Sequence, residues 1–125
     1  MLQRLLNEAQ RQGVTVVRAT LPAPYRSLYQ IDRELIILDR GLTEPQLIEA
    51  LAHELGHAHR GHDCTNARTE TQAWKWAAAF VIDENAYARA EALNPHPAAL
   101  ALELGITPRL VCEWQKHHHV ERIAA

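Results

Sequence analysis

The sequence predicts an α+β domain in which a small, twisted N-terminal β-sheet packs on a long helix and the C-terminal half is helical. Two observations predict this fold class: β-branched and alternating apolar residues cluster in residues 14–38, whereas helical periodicity and helix caps dominate after them. The 125 residues, 47% of them hydrophobic, suit one core. We therefore expect a single domain with a helix and a sheet in 1–42, two long helices in 43–82 and a helical cap and tail in 83–125.

The chain is predicted to begin with a short helix and a strand. Apolar residues recur at spacings of three and four from residue 2 to about residue 12, which indicates an amphipathic helix, and Gly13 ends it. Residues 14–20 are rich in β-branched side chains and are expected to form a strand. Two prolines in residues 21–24 then interrupt the regular structure.

Two further strands are predicted before residue 40. Residues 25–31 alternate between two faces, and residues 35–38 form a continuous apolar run. The polar residues 32–34 between them are expected to turn a hairpin.

The remainder of the chain is predicted to be helical. Thr43 is followed three residues later by Gln46, with Pro45 in the first turn, which is typical of a capping box at a helix start. This helix should run to about His59 and stop at Gly61. Further helices are expected at 67–82 and 84–93, and then in two short segments on either side of Gly105, the last one capped by Thr107 and Pro108.

Composition and charge exclude several classes of protein. The chain has 13 basic and 15 acidic residues, so no positive field is present to hold a nucleic-acid backbone, and no direct nucleic-acid partner is expected. There is no apolar run of about 18 residues and no signal-peptide core, so we expect a cytoplasmic protein without a membrane partner. Cys64 and Cys112 are far apart and are expected to be free thiols.

The motif that carries chemistry is HELGH at 53–57, an HExxH sequence on the first long helix. At about 100° per residue, side chains four residues apart differ in direction by only about 40°, so His53 and His57 can both reach one metal ion. Glu54 points to the side of this pair, where a carboxylate is poorly placed to be another ligand but can deprotonate a water molecule. The motif therefore predicts a zinc site with Glu54 as general base.

The opposite faces of this helix indicate a cleft. An apolar stripe, expected to pack into the core, is formed by Leu47, Ile48, Leu51, Leu55 and Ala58. The face that carries the two histidines is polar apart from the small Ala50, which suits the floor of a cleft better than a core.

A third metal ligand is predicted at Glu70. On the second long helix, this residue lies in line with an apolar stripe formed by Ala73, Trp74, Ala77 and Val81. A carboxylate at the head of a buried stripe is costly unless it is paired or bound to a metal. Two histidines and one carboxylate leave a fourth position for water, which predicts one zinc ion per chain. The other interpretation of Glu70 is a glutamate that favours the helix dipole and faces water.

Asp63 is a rival for the third ligand. It lies ten residues after His53, where metzincin peptidases place theirs. The glycine that this pattern requires is Arg60 here, and the methionine turn is missing because the only methionine is Met1.

The oxyanion of peptide hydrolysis needs a hydrogen-bond donor, and the candidates are His59, His62 and Tyr87. The two histidines are also explained as polar residues at a helix end, where cations favour the dipole. The histidines at 117–119 are expected to form a solvated tail.

Residues 100–111 resemble the first part of a helix-turn-helix, but too few fixed positive charges accompany them to follow phosphates, so a packing role is expected. Without a basic groove, the tryptophans are expected in the core or the cleft wall rather than on a base-stacking surface; they are Trp74, Trp76 and Trp114.

Taken together, these motifs resemble the ImmA/IrrE family of metallo-endopeptidases. The resemblance rests on HELGH at 53–57 preceded by YQIDRELIILDRGL, on Glu70-x-x-Ala73-x-x-Trp76-Ala77 followed by Phe80-Val81-Ile82, and on Leu104-Gly105-Ile106-Thr107-Pro108. It covers most of residues 25–115. The family implies a zincin-like fold in which His53, His57 and Glu70 bind zinc in the gluzincin manner and Glu54 is catalytic.

The resemblance also implies a partner. Such proteins inactivate transcriptional repressors, frequently ones encoded by the same mobile element, by cleavage or by direct antagonism. Many carry an additional DNA-binding or sensor domain, and we expect this chain to be the peptidase core alone. We therefore expect a selective zinc endopeptidase whose substrate is a helix-turn-helix repressor of a mobile element or stress response. The alternative is a non-catalytic, zinc-containing antirepressor that binds its partner through the cleft or a sheet edge.

Overall fold

The computed structural model describes residues 1–62 and 65–118 and confirms the α+β class. Its helices and strands follow in the order α1 (Leu2–Arg11), β1 (Thr15–Ala19), β2 (Ser27–Gln30), β3 (Leu35–Asp39), α2 (Glu44–Arg60), α3 (Ala67–Val81), α4 (Glu84–Leu93), α5 (Pro97–Leu104) and α6 (Pro108–His118). In the part of the chain so described, no helix is both long and apolar enough to cross a bilayer. Asp63, Cys64 and His119 lie outside the described residues.

The three strands form a mixed sheet with β3 in the centre. β1 runs parallel to β3, and β2 runs antiparallel to it, with Leu28 opposite Ile37. The apolar run of β3 explains its central position, because Ile36 and Leu38 are buried against the helices. Among the described residues, β2 pairs only with β3, so the other edge of β2 is free.

β2 is shorter than predicted, because turns take both ends of the expected segment 25–31. At the start, the Tyr25 amide donates to the Pro22 carbonyl at 3.0 Å, which keeps Tyr25 in a turn. At the end, the Glu34 amide donates to the Ile31 carbonyl at 3.0 Å and closes a 3₁₀ turn. The predicted hairpin between β2 and β3 is confirmed, with this 3₁₀ turn as its connection.

The first long helix has the caps that the sequence predicts. The Gln46 amide donates to the Thr43 hydroxyl, and the Thr43 amide donates to the side chain of Gln46 at 2.9 Å, which completes a capping box. Gly61 ends α2 in the left-handed conformation, with φ at 66°. The predicted apolar stripe is buried except for Ala58, which is half-buried, and Leu51 and Leu55 are fully inaccessible.

The C-terminal helices pack as predicted for a helical cap. α5 and α6 are separated at Gly105, and the Leu110 amide donates to the Thr107 hydroxyl at 3.3 Å at the start of α6. Leu100, Leu110 and Val111 are completely buried. The segment that resembles a helix-turn-helix therefore contributes most of its apolar residues to the core, and Leu102 is the exposed exception.

Gly56 allows α3 to cross α2 at close range. A methyl group at this position would lie 2.5 Å from the carbonyl oxygen and 2.9 Å from the Cα of Ala73, closer than non-bonded atoms approach. The facing residues of α3 are small and fully buried, among them Ala73 and Ala77. This close crossing brings the first turn of α3, which carries Glu70, up to the histidines of α2.

We expect Gly56→Ala to destabilise the protein by about 1–3 kcal/mol, the usual cost of overpacking. The clash is with the backbone of α3, which cannot rotate away, so the helices must separate and zinc affinity should fall with stability. Thermal unfolding and zinc titration measure the two effects. Gly105→Ala is the control, because it places alanine at φ 69° where the new methyl group meets no atom within 4 Å, and it should lower stability without changing zinc affinity. Wild-type stability and zinc affinity in Gly56→Ala would contradict this account.

Candidate metal centre

His53 and His57 of α2 converge on Glu70 of α3. Nε2 of His53 lies 2.9 Å from Oε2 of Glu70, and Nε2 of His57 lies 2.8 Å from Oε1. Taking one ligand atom from each residue, the three atoms lie within 4.8 Å of one another. Imidazole nitrogens and a carboxylate oxygen are donors that zinc accepts, and three protein ligands leave a position for water. The side chains present therefore fit the metal that the motif predicts.

Glu70 carries the negative charge of this group. Burial alone would raise the pKa of its carboxyl, but the charges and hydrogen bonds of His53 and His57 outweigh burial and lower the pKa below its ordinary value. The carboxylate is therefore ionised at neutral pH. Its position explains why a carboxylate stands at the head of the apolar stripe of α3. The charge faces two imidazoles rather than apolar side chains.

Trp74 packs behind the ring of His53. The indole stacks on the imidazole with ring centroids 4.2 Å apart and an interplanar angle of 17°. The guanidinium of Arg109, on α6, lies 4.2 Å from the centroid of the Trp74 ring. Trp74 thus lies behind His53 and lines a neighbouring depression with Arg109 rather than the cleft itself, whereas Trp114 is buried in the core.

Glu54 lies beside the histidines and is held by a residue of the sheet. It is only 9% exposed, and the Ser27 hydroxyl donates to its Oε2 at 2.7 Å. This contact engages one carboxylate oxygen and leaves acceptor capacity for a water proton. Sequence reasoning missed Ser27, because the alternation of β2 defines two faces but does not say which one meets α2.

A cleft of about 250 Å³ opens over these residues, as the polar face of α2 predicts. Its lining consists of Tyr25, Ser27, Leu28, Tyr29, Ile31, His53, Glu54, His57, His62, Thr65 and Glu70. Tyr25 and Ile31 are 56% and 42% exposed although both are large and apolar. The floor of the cleft is therefore polar and acidic, and the side next to β2 offers apolar surface.

The three candidate oxyanion donors are placed differently. His62 lines the cleft, but its Nδ1 lies 2.9 Å from Nδ1 of His57, the nitrogen turned away from Glu70. His59 is exposed and stacks on Trp76 with centroids 5.4 Å apart, in a separate depression. Neither residue belongs to the group of potential ligands.

Tyr87 does not line the cleft. Its ring lies 5.7 Å from that of Trp114, and its hydroxyl accepts a hydrogen bond from the Gln115 amide at 3.0 Å. Burial raises the pKa of this phenol. The structure therefore places Tyr87 in the core and, like His59, outside the lining of the cleft. Asp63, the rival third ligand, lies outside the described residues.

Comparisons with known proteins agree with this geometry. Residues 9–114 match the family model of peptidase M78, described as the IrrE N-terminal-like domain. Among solved structures, a Mycobacterium tuberculosis transcriptional regulator shares the fold with a TM-score of 0.69 and 19% identity, over 95% of this chain and 43% of that chain. This chain thus spans less than half the length of that regulator. The comparison with curated proteins found no match to this chain. With a match over residues 9–114, the chain belongs to the peptidase M78 family.

Proposed function

We propose that this protein is a zinc-dependent endopeptidase in which His53, His57 and Glu70 hold the metal and Glu54 is the general base. The observation that carries the proposal is the convergence of two Nε2 atoms and one carboxylate at the floor of a cleft that Glu54 also lines. Membership of a peptidase family supports the same activity.

The residues in and beside the cleft have different roles in the proposed hydrolysis. When bound, zinc polarises the scissile carbonyl and lowers the pKa of water. Glu54 takes the proton of the attacking water and later delivers it to the leaving amine. Ser27 holds the Glu54 carboxylate in position through its 2.7 Å hydrogen bond. Trp74 supports the ring of His53, and Glu70 offsets positive charge at the centre.

The free edge of β2 supports binding of an extended peptide. β2 contributes Ser27, Leu28 and Tyr29 to the lining of the cleft, and among the described residues its outer edge pairs with no strand. A substrate segment can add to such an edge by main-chain hydrogen bonds while alternate side chains enter pockets. This mode requires a flexible or unfolded segment, so compact proteins should resist cleavage.

We infer that the substrate is a helix-turn-helix repressor of a mobile element or stress response, encoded near this gene and cut in a flexible segment beside its DNA-binding domain. The resemblance described above suggests the repressor, and the edge of β2 suggests the flexible segment. Co-expression of the two proteins, followed by mass spectrometry of the repressor, tests the inference. We expect cleavage at one or few sites. A repressor that stays intact and binds DNA beside the zinc-loaded protein would contradict the substrate but not the metal site.

The alternative is a non-catalytic antagonist that binds a repressor without cutting it. It gains support from the solved structure of the same fold, which is called a transcriptional regulator. Against it, a purely structural zinc site is usually closed by four protein ligands, whereas the group found among the described residues has three. A structural site also does not require the buried carboxylate of Glu54, which accepts a hydrogen bond from Ser27.

A further inference from the structure

A chain of hydrogen bonds extends from the metal centre through His57 to His62 and Gln72. Nδ1 of His57 lies 2.9 Å from Nδ1 of His62, and Nε2 of His62 lies 2.8 Å from Oε1 of Gln72. The other nitrogen of His57, Nε2, faces Glu70 at 2.8 Å. His57 is therefore contacted on both ring nitrogens, on one side by a proposed ligand and on the other by this chain.

The end of α2 brings His62 to this position. Gly61 adopts φ 66°, and the chain then folds back so that the His62 amide donates to the carbonyl of His57 at 3.1 Å. Gln72 comes from α3, two residues after Glu70. The same helix thus supplies a carboxylate to one side of His57 and an amide to the residue that contacts its other side.

We propose that His62 and Gln72 are positioning residues that set the tautomer and orientation of His57 for metal binding. The inference rests on the proposed metal site. An imidazole that gives Nε2 to a metal keeps its proton on Nδ1 and must donate it. His62 then accepts through its own Nδ1, which requires its proton on Nε2, where the Oε1 of Gln72 accepts it.

This arrangement has a physical effect on the ligand. A hydrogen bond from Nδ1–H holds the plane of the ring and increases the electron density that Nε2 offers to the metal. Carboxylates and main-chain carbonyls usually take this position, and here Nδ1 of His62 occupies it, with Nε2 of the same ring against the side-chain oxygen of Gln72. Neither His62 nor Gln72 belongs to the group of potential ligands, so His62 acts on the metal through its contact with His57, and Gln72 acts through His62.

Zinc affinity, measured by competition with a chromogenic chelator, tests the proposal. His62→Phe keeps a ring but removes the acceptor, and we expect it to weaken binding by about 10- to 100-fold. Gln72→Leu should weaken binding in the same direction, whereas Gln72→Glu keeps an acceptor and should retain wild-type affinity or better. His59→Phe is the matched control, because it makes the same change at a histidine three residues earlier, which stacks on Trp76 outside the cleft. We expect it to bind zinc as the wild type does.

Long-range ¹H–¹⁵N spectra of the zinc-loaded wild type provide a readout that needs no variant. We expect the proton of His57 on Nδ1 and that of His62 on Nε2, and the opposite tautomer of His62 would overturn the proposal. Wild-type zinc affinity in both His62→Phe and Gln72→Leu would also overturn it, even if the protein hydrolyses peptides. Conversely, weakened zinc binding in these variants without any hydrolysis by the wild type would uphold the positioning role and contradict the peptidase.

Discussion

Glu54→Gln is expected to abolish peptide hydrolysis while leaving the fold and zinc binding intact. An amide cannot accept the proton of the attacking water, so turnover should fall by about 10²- to 10⁴-fold, the usual contribution of a general base. The carbonyl oxygen of glutamine can still accept the hydrogen bond from Ser27, so the buried side chain keeps a partner. Because Glu54 is not in the group formed by His53, His57 and Glu70, zinc affinity should not change.

The rate of hydrolysis of the repressor or of an unfolded protein, measured together with the zinc content, tests whether turnover is lost while zinc is retained. Glu44→Gln is the control, since it makes the same change at an exposed carboxylate in the first turn of α2 and should keep full turnover. A Glu54→Gln protein that cuts its substrate at the wild-type rate would remove Glu54 from the mechanism. Equal biological activity of the wild type and Glu54→Gln, with no cleavage by either, would favour the antagonist.

Features that depend on neighbours along the chain could be predicted from the sequence. The capping box at Thr43, the left-handed end at Gly61 and the bounds of α4 depend on residues within a few positions of each other. The relation between His53 and His57 is equally local, because helix geometry alone places side chains four residues apart on one face. Local rules therefore account for the helices and for two of the three potential metal ligands.

Glu70 could be predicted although it lies on another helix, because a carboxylate in an apolar stripe has few stable explanations. No comparable signal distinguished His62 from His59, since both are polar residues at the end of α2. Their difference arises from the turn after Gly61 and from the packing of α3, which directs Gln72 to one of them. Ser27 was missed for the same reason, since its role depends on which face of the sheet meets α2.

The order of the strands also could not be predicted. Strands adjacent in sequence usually pair, and the hairpin of β2 and β3 follows this tendency. β1 instead pairs with β3 rather than with β2, the next strand in sequence. The continuous apolar run of β3 is the feature that suits a central strand. The length of β2 depended on hydrogen bonds of Tyr25 and Ile31 in turns, which periodicity does not report.

The second large effect is expected at the third ligand. Glu70→Ala should lower zinc affinity by more than about 100-fold, because removing a metal ligand costs more affinity than removing a residue that only hydrogen-bonds to a ligand. His57→Ala should have an effect of the same order, since both residues contribute one ligand atom to the same group. Glu84→Ala is the control: it removes an exposed first-turn glutamate from α4, so it reproduces a change in helix dipole without touching the metal centre.

The central claim is that His53, His57 and Glu70 form one zinc site, and the zinc content of the purified protein under chelator competition tests it most directly. We predict one zinc ion per wild-type chain, the same for Glu84→Ala, and loss of the metal from Glu70→Ala and His57→Ala alike. Full zinc affinity in Glu70→Ala would contradict the account, above all if Asp63→Ala lost the metal instead.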